Sequence, residues 1–347
     1  MVNKKTAIDL SWIKIDKSGG VENHTLNLLK NLNNKNIIYF INPLILKNNK
    51  YSWIRKKKLK ILTNLYFLNI FYIFFISSFY LKKNNIKNFF STNIYCPLIN
   101  NSEINIRITL HHAMWLNFPN YYRIYKIFFF NIYYNFLKKN IKFIAISNHI
   151  KKKFVGKFKF KNIKVIYNPI ILQRKESDIK FLNKKKFFFY LASNEKHKNL
   201  DTIIKAFKSK KINQKYKLII AGYGQKARKV NDNIYILGKI TEKQKISLYK
   251  NCLCYLHPSL YEGFGMPLVE AMLLKKKIIT NDNGSIKEIT LNNAIYVKNP
   301  ENYKCWIKKI NKFNYLKFPK IDIKKINKTY NYKYIIKKYH KEIFNEK

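Results

Sequence analysis

The sequence predicts two α/β domains in series, each built on a parallel sheet flanked by helices. At 347 residues the chain exceeds the usual size of one hydrophobic core, and its 47% hydrophobic content is enough for two. Short β-rich runs alternate with helical periodicity, the rhythm of βαβ units. That rhythm stops once, in the polar stretch NPIILQRKESDIKFLNKKK at 168–186, and then restarts.

In the first half, TAIDL (6–10), NIIYFI (36–41), KNFFS (87–91), INIRITL (104–110), KFIAI (142–146) and IKVIY (163–167) read as buried strands. ENHTLNLLKNL reads as a helix because Leu26, Leu29 and Leu32 share a face, and the aromatic run 121–137 reads as another. In the second half KKFFFYLAS, YKLIIAG, NIYILG, NCLCYLHPS, KKIIT and NAIYV are strands, and NLDTIIKAF, TEKQKISLYK and MPLVEAMLL are helices. Ser285 followed by Glu288 has the spacing of a capping box. The domains are therefore set at 1–170 and 186–322, with a linker at 171–185 and a basic, aromatic terminal helix at 323–347 that returns toward the first domain.

The chain carries 69 Lys+Arg against 18 Asp+Glu, a formal net charge of +51. The basic residues run from Lys4 to Lys347 without gathering on one segment, and Lys, Asn, Ile, Phe and Tyr dominate, so composition explains most of the charge. The aromatic residues lie in apolar runs and not between exposed basic ones, which argues against a nucleic-acid binder. Cys96, Cys252, Cys254 and Cys305 form neither a disulfide framework nor a metal cluster. The start, MVNKKTAIDLSW, lacks the apolar core of a signal peptide and points to a cytoplasmic protein. Residues 61–81 would be long enough as a helix to cross a membrane, but Asn64, Asn69, Ser77 and Ser78 and the basic flanks favour a buried or interfacial helix.

The most informative stretch is HPSLYEGFGMPLVEAM at 257–272, where two of the few carboxylates, Glu262 and Glu270, stand eight positions apart. Gly263 and Gly265 let a ligand approach the main chain closely, and Pro267 suits a first helical position. The helix would turn free N–H groups and its positive dipole end toward that ligand. A carboxylate in an otherwise apolar helix needs hydrogen-bond donors, and sugar or ribose hydroxyls would serve. On local grounds a plain helix-stabilising acid and a solvated loop acid remain the alternative.

This stretch resembles the E-x7-E signature of the retaining glycosyltransferases of family 4. SGGVENHTLNLL (18–29), TLHHAMWLNFPNYY (109–122), IAISNHIKKKF (144–154), VIYNPI (165–170) and YLASNEKHKNLDTIIKAF (190–207) resemble further segments of that family, in the family's order. The resemblance implies a GT-B fold, two Rossmann-like domains with a cleft between them. Glu270 would then bind the ribose hydroxyls of a nucleotide sugar, and Glu262 with the backbone of Phe264, Gly265 and Met266 would hold the transferred sugar and nearby phosphate oxygens. Lys198 would pair with the diphosphate beside Ser193, Gly19 and Gly20 would close on it, and His111 would sit beside the donor sugar. The departures are Ser193 where many members have Arg, His112 where Asp is common, Pro169 where Gly is frequent, and LLKKKIIT without the usual Gly and Pro.

The implied activity is metal-independent transfer, with retention, of a hexose of mannose or glucose type to a glycan or lipid-linked acceptor in cell-envelope synthesis. No cofactor is implied beyond the nucleotide sugar, and no D-x-D occurs. The basic, aromatic stretches 51–83 and 121–139 imply peripheral contact with an anionic membrane, or else buried helices. The alternatives are a GT-B protein that has lost activity and a basic nucleic-acid binder. AGYGQKA (221–227) fits a dinucleotide fingerprint, yet leaves no room for the helix and acidic residue that motif needs.

Overall fold

The computed structural model describes residues 4–14, 19–99, 103–137, 141–172, 186–224 and 226–344. Most of the expected linker at 171–185 lies outside them. The chain divides into two compact units, Met1–Pro169 with Tyr332–Lys347, and Ile170–Asn331.

The first unit runs β1 (Thr6–Asp9), α1 (Gly20–Leu29), β2 (Ile37–Ile41), β3 (Lys58–Ile61), α2 (Tyr66–Phe71), α3 (Ser77–Lys83), β4 (Asn88–Ser91), β5 (Asn105–Leu110), α4 (Met114–Asn117), α5 (Ile124–Phe136), β6 (Ile141–Ala145), α6 (Asn148–Phe158) and β7 (Ile163–Val165). Its seven strands are all parallel in the order β3-β2-β1-β4-β5-β6-β7. Strand order reverses between β1 and β4, the place where doubly wound sheets open a crevice at their carboxyl ends. The six strands read from apolar runs are present. Strand β3 is not legible that way, because KLKI alternates lysine with aliphatic residues at a sheet edge, where charge blunts unwanted pairing.

Residues 61–81 do not form one helix. Ile61 closes β3, α2 begins at Tyr66, and a π-helical turn at Tyr72–Ile76 leads into α3. No helix among the described residues is long and apolar enough to cross a membrane.

The second unit runs β8 (Phe187–Leu191), α7 (Leu200–Lys208), α8 (Lys210–Asn213), β9 (Lys217–Ala221), β10 (Arg228–Asn231), β11 (Ile234–Ile236), α9 (Glu242–Asn251), β12 (Cys254–His257), α10 (Met266–Leu273), β13 (Ile278–Thr280), α11 (Ile286–Thr290), β14 (Ile295–Tyr296), α12 (Tyr303–Asn311) and α13 (Ile323–Thr329). The sheet order is β10-β11-β9-β8-β12-β13-β14, parallel except for the β10–β11 hairpin. Its switch point lies between β8 and β12, so the segments after these two strands are where a ligand is expected. After β9, Gly222 adopts φ +81°, and a Cβ there would stand 2.6 Å from the Ala192 carbonyl oxygen. The chain then enters β10 and not a helix, so AGYGQKA lacks the context of a dinucleotide fingerprint.

The single terminal helix expected from 323 is two helices, α13 and α14 (Tyr332–Phe344), separated at Tyr330 and Asn331. Helix α14 belongs to the first unit. Its Ile335, Tyr339 and Ile343 join the core with Leu26, Tyr39 and Ile166, and the Tyr339 hydroxyl donates to the Ile166 carbonyl at 3.3 Å.

Candidate functional site

In the second unit the stretch after β12 carries Glu262, and helix α10 carries Glu270 as its fifth residue. Glu270 is therefore past the first turn and does not serve as a dipole-complementing N-terminal acid. Gly265 precedes the helix with φ +85° and ψ 59°, a left-handed conformation that favours glycine. Met266 is the first helical residue and Pro267 the second. Phe264 is buried, with its ring edge-on to Tyr330.

Glu262 is held by side chain and main chain together. Lys198 Nζ donates to its Oε1 at 2.8 Å and His257 Nε2 donates to the same oxygen at 3.0 Å. Burial works to raise the pKa of this carboxyl, but the two cationic or N–H partners outweigh it and hold the group well below the usual carboxylate range. Its main-chain carbonyl accepts from the Ser285 N–H at 3.1 Å and the Ser285 hydroxyl at 3.0 Å. The expected capping box therefore does not form: Ser285 precedes α11, but its hydroxyl serves Glu262 and makes no cap bond.

Lys198 ends a short 3-10 turn, Lys196–Lys198, that is tied to the strand ends beside it. Tyr190 donates to the Lys198 carbonyl at 2.5 Å, the Leu260 N–H donates to the His197 carbonyl at 2.7 Å, and left-handed Asn199 donates to the Pro258 and Pro300 carbonyls. Ser193 lies nearby in sequence but donates to Glu195 at 2.7 Å.

Glu270 has its own partners, both from α9. Lys245 Nζ donates to Oε1 at 2.7 Å and Tyr249 donates to Oε2 at 3.2 Å. Burial leaves the Glu270 carboxyl above its ordinary pKa despite Lys245, and Glu242 adds to that rise. Lys245 also contacts Glu242 at 2.9 Å. Burial pushes the Lys245 ammonium down, but the two carboxylates reverse this and keep it above its usual value.

In the first unit, Gly19 and Gly20 open α1. Gly19 is in extended backbone, and no atom lies within 4 Å of where a Cβ would be, so its geometry does not demand glycine. His111 follows β5 and is buried. Its Nε2 donates to the Thr92 carbonyl at 2.7 Å, so the ring is oriented by main chain. Burial pushes the His111 imidazole down to about 3, against the Thr92 bond, and its ring meets His24 edge-on at 4.8 Å.

The structure thus brings Lys198 and Glu262 into direct contact, gives Glu270 a separate pair of partners, and leaves Ser193 engaged elsewhere. Sequence reading missed Lys245, Tyr249 and His257, and gave Ser285 the role of a helix cap. The spacing of Lys245 and Tyr249, four apart on one helix, was the available signal for the first two. Among the described residues no group of His, Cys, Asp and Glu side chains is arranged to hold a metal.

Residues 173–334 match the family model described as glycosyl transferases group 1. The chain is related to that family. The matched region is the second unit almost residue for residue. The chain is 27% identical over 239 residues to the O-antigen chain mannosyltransferase RfbU of Salmonella typhimurium, covering 65% of this chain and 64% of that protein. It is 30% identical over 225 residues to an uncharacterized glycosyltransferase of Methanocaldococcus jannaschii, covering 58% of this chain and 56% of the relative. These matches span less than two thirds of either relative's length. A glycosyltransferase from Rickettsia africae superposes with a TM-score of 0.70 at 17% identity over 99% of this chain and 100% of that one. Anabaena HepE in complex with UDP-glucose superposes with a TM-score of 0.66 at 14% identity over 98% and 95%. The fold is GT-B, two Rossmann-like units.

Proposed function

We propose that the protein is a retaining glycosyltransferase that moves a hexose of mannose or glucose type from a nucleotide diphosphate sugar to a glycan or lipid-linked acceptor of the cell envelope. The observation that carries this reading is the Lys198–Glu262 pair beside the glycine-opened start of α10. It joins a cation, a carboxylate and the start of a helix at the carboxyl edge of the sheet. RfbU, acting on O-antigen chains, supports the acceptor class and the mannose type, and the UDP-glucose complex of HepE supports a nucleotide sugar as donor.

In this reading Lys198 and His257 occupy Oε1 of Glu262, so Oε2 is offered to a sugar hydroxyl. The bond from the anomeric carbon to the diphosphate oxygen breaks, and the acceptor oxygen bonds to that carbon on the same face. The acceptor proton passes to a leaving phosphate oxygen. Lys198 and the N–H groups of Phe264, Gly265 and Met266 stabilise the developing negative charge, a task that preorganised donors perform well without a metal. Glu270 takes the ribose hydroxyls. Ser193, Gly19 and Gly20 are assigned to the diphosphate and His111 to the donor sugar.

The first unit supports peripheral contact with an anionic membrane at the inner face of the cytoplasmic membrane. Phe67, Phe71, Phe75 and Phe79 are exposed along α2, the π-helical turn and α3, and Ile124, Phe128, Ile132 and Phe136 are exposed along α5. Phe75 touches Phe74, Phe74 stacks on Tyr133, and Tyr133 stacks on Phe129, so the segments that carry these exposed side chains pack together through the buried rings of Phe74 and Tyr133. Between Glu22 and Glu176 the sequence holds one carboxylate, Glu103, which pairs with Lys87 at 3.1 Å, so the segment is strongly basic. Each lysine near an anionic surface adds about 1 kcal/mol. Binding to vesicles containing phosphatidylglycerol at physiological salt is expected, and absence of binding would refute this part.

The donor site is tested by thermal stabilisation with UDP, GDP, ADP and their sugar conjugates, comparing wild type with Glu270→Ala. A ligand at 100 times its Kd adds about 2.7 kcal/mol of stability. Stabilisation by one nucleotide, lost in the variant, is the expected result. No stabilisation of folded protein by any of them would overturn the donor assignment.

A further inference from the structure

Among the described residues Lys245 is the only buried lysine; every other is exposed or half-buried. The capping box of Thr241 and Gln244 fixes where α9 starts, and Lys245 and Tyr249, one turn apart, then face Glu270 of α10 together. Lys245 Nζ lies 2.7 Å from Glu270 Oε1 and 2.9 Å from Glu242 Oε2. Stability is a poor reason for such a pair. An apolar side chain of similar volume at 245 would pack on α10 without desolvating an ammonium, and such replacements of buried ion pairs are often neutral or stabilising.

The geometry around Glu270 suggests what the lysine is for. Each carboxylate oxygen offers two lone pairs. Lys245 takes one on Oε1, while the single Tyr249 proton lies between Oε2 at 3.2 Å and the Pro267 carbonyl at 3.1 Å. These partners leave at least one lone pair on each oxygen, which suits two neighbouring hydroxyls that each donate one hydrogen bond. Protonation would spoil that arrangement, because a carboxylic acid turns one oxygen into a donor and has fewer acceptor sites left. Burial works toward the protonated form and so does Glu242, whereas Lys245 is the cation that opposes both.

We propose that Lys245 is a positioning residue of the donor site: it supplies the cation that lets the half-buried Glu270 meet the vicinal hydroxyls of a nucleotide ribose as a carboxylate. This role rests on the donor-site reading given above, and adds to it a residue that need not touch the nucleotide. The charges acting on Glu270 are Lys245 and Glu242, and the phenols within electrostatic reach are Tyr249 and Tyr255. Helices α11 and α13 also pack on α10; Lys287, Lys324, Lys325 and Lys328 on them are exposed, and Glu288 is half-buried.

The first test needs no ligand. In the full chain carrying 13C at the glutamate side-chain carboxyls, the Glu270 resonance is the one lost in Glu270→Gln, and its shift against pH reports its protonation. Lys245→Met is expected to move the Glu270 midpoint to higher pH, and Lys245→Arg to leave it near the wild-type value. Glu242→Gln, a change at an exposed side chain, is expected to move it to lower pH, and it decides the matter if Lys245→Met does not fold. A midpoint that stays put when Lys245 loses its charge, or in that case when Glu242 does, would overturn the role.

The second test follows the binding of UDP-glucose, GDP-mannose and ADP-glucose at about pH 8 and about pH 5.5. Their diphosphates are esterified at both ends and do not titrate in this range, so a pH dependence belongs to the protein. Between the two pH values Lys245→Met should lose about tenfold more affinity than the wild type, the worth of one hydrogen bond to a charged group, and Lys245→Arg should follow the wild type. A loss in Lys245→Met that is equal at both pH values would mark Lys245 as structural only. If none of the three binds the wild type while the midpoint still moves in Lys245→Met, the donor reading fails and Lys245 keeps only its hold on the charge of Glu270. No binding together with an unmoved midpoint would sink both.

Discussion

Gly284 lies against the main chain of Glu262: a Cβ at 284 would stand 2.7 Å from the Glu262 carbonyl oxygen and 3.0 Å from its nitrogen. With φ +64° at the glycine and both Ser285 donors on the same carbonyl, the loop after β13 fixes the backbone from which the first carboxylate projects. Neither contact involves the ends of flexible side chains.

Gly284→Ala therefore cannot be absorbed locally. It should destabilise the protein by about 2–4 kcal/mol, through left-handed strain and a backbone clash. Chemical denaturation measures this, and nucleotide-sugar affinity should fall with it. Ser285→Ala, which removes one hydrogen bond to the carbonyl, should cost about 1 kcal/mol.

The Lys198–Glu262 pair predicts a loss of stability in acid. Because Glu262 is held below the ordinary carboxylate range in the folded chain, its contribution is complete above the unfolded value of 4.5 and disappears as pH falls through the lower folded value. Glu262→Gln should flatten this part of the stability profile below pH 4.5. Lys198→Met leaves a buried carboxylate without its cation and should cost about 3–5 kcal/mol at pH 7, in denaturant titrations.

Asp9 predicts the opposite slope. It sits fully buried at the end of β1, with Oδ1 accepting from the Ser11 N–H and hydroxyl, and Oδ2 without a partner. Burial pushes its carboxyl up to about 6, against the Ser11 bonds. The folded state therefore binds the proton more tightly, and stability falls as pH rises from about 4 to about 6. The total is about 3 kcal/mol. Asp9→Asn should match the wild type near pH 4 and exceed it at pH 8, as thermal unfolding at the two pH values will show.

The exposed aromatic residues of α2 and α5 predict a change in membrane affinity without a change in stability. Phe67 and Phe128 are 65% and 67% exposed, so Phe67→Glu with Phe128→Glu should shift stability by no more than about 0.5 kcal/mol each. Affinity for phosphatidylglycerol vesicles should drop at least about tenfold, since each change removes apolar area and adds repulsion. Unchanged sedimentation with vesicles would place the contact elsewhere.

Much of this was legible before any coordinates. Buried parallel strands such as FFFYL and KLIIA are continuous apolar runs bounded by turns, and for such runs the sequence pattern and the structure coincide. Two edge strands carry no such pattern: KLKI and RKVN are rich in Lys and Arg, and only pairing with β2 and β11 makes them strands, whereas the opposite edges β7 and β14 fall in the apolar runs IKVIY and NAIYV. The aromatic run at 61–81 was ambiguous because hydrophobicity alone does not say whether a helix face meets a core, a lipid or water. In the structure Ile73 and Leu81 are buried while Phe67 and Phe79 are not.

By itself the sequence determined the two-unit α/β plan, a helix opening after the glycines of GFG, set at Pro267 and found one residue earlier, and the two carboxylates eight residues apart, because these depend on local periodicity and on residue types. Tertiary structure alone decided what those carboxylates touch. Lys198 lies 64 residues from Glu262, Lys245 lies 25 from Glu270, and Ser285 gives up its local cap to reach across the sheet edge. A parallel sheet gathers the carboxyl ends of strands that are distant in sequence, so partners chosen there leave no spacing to read.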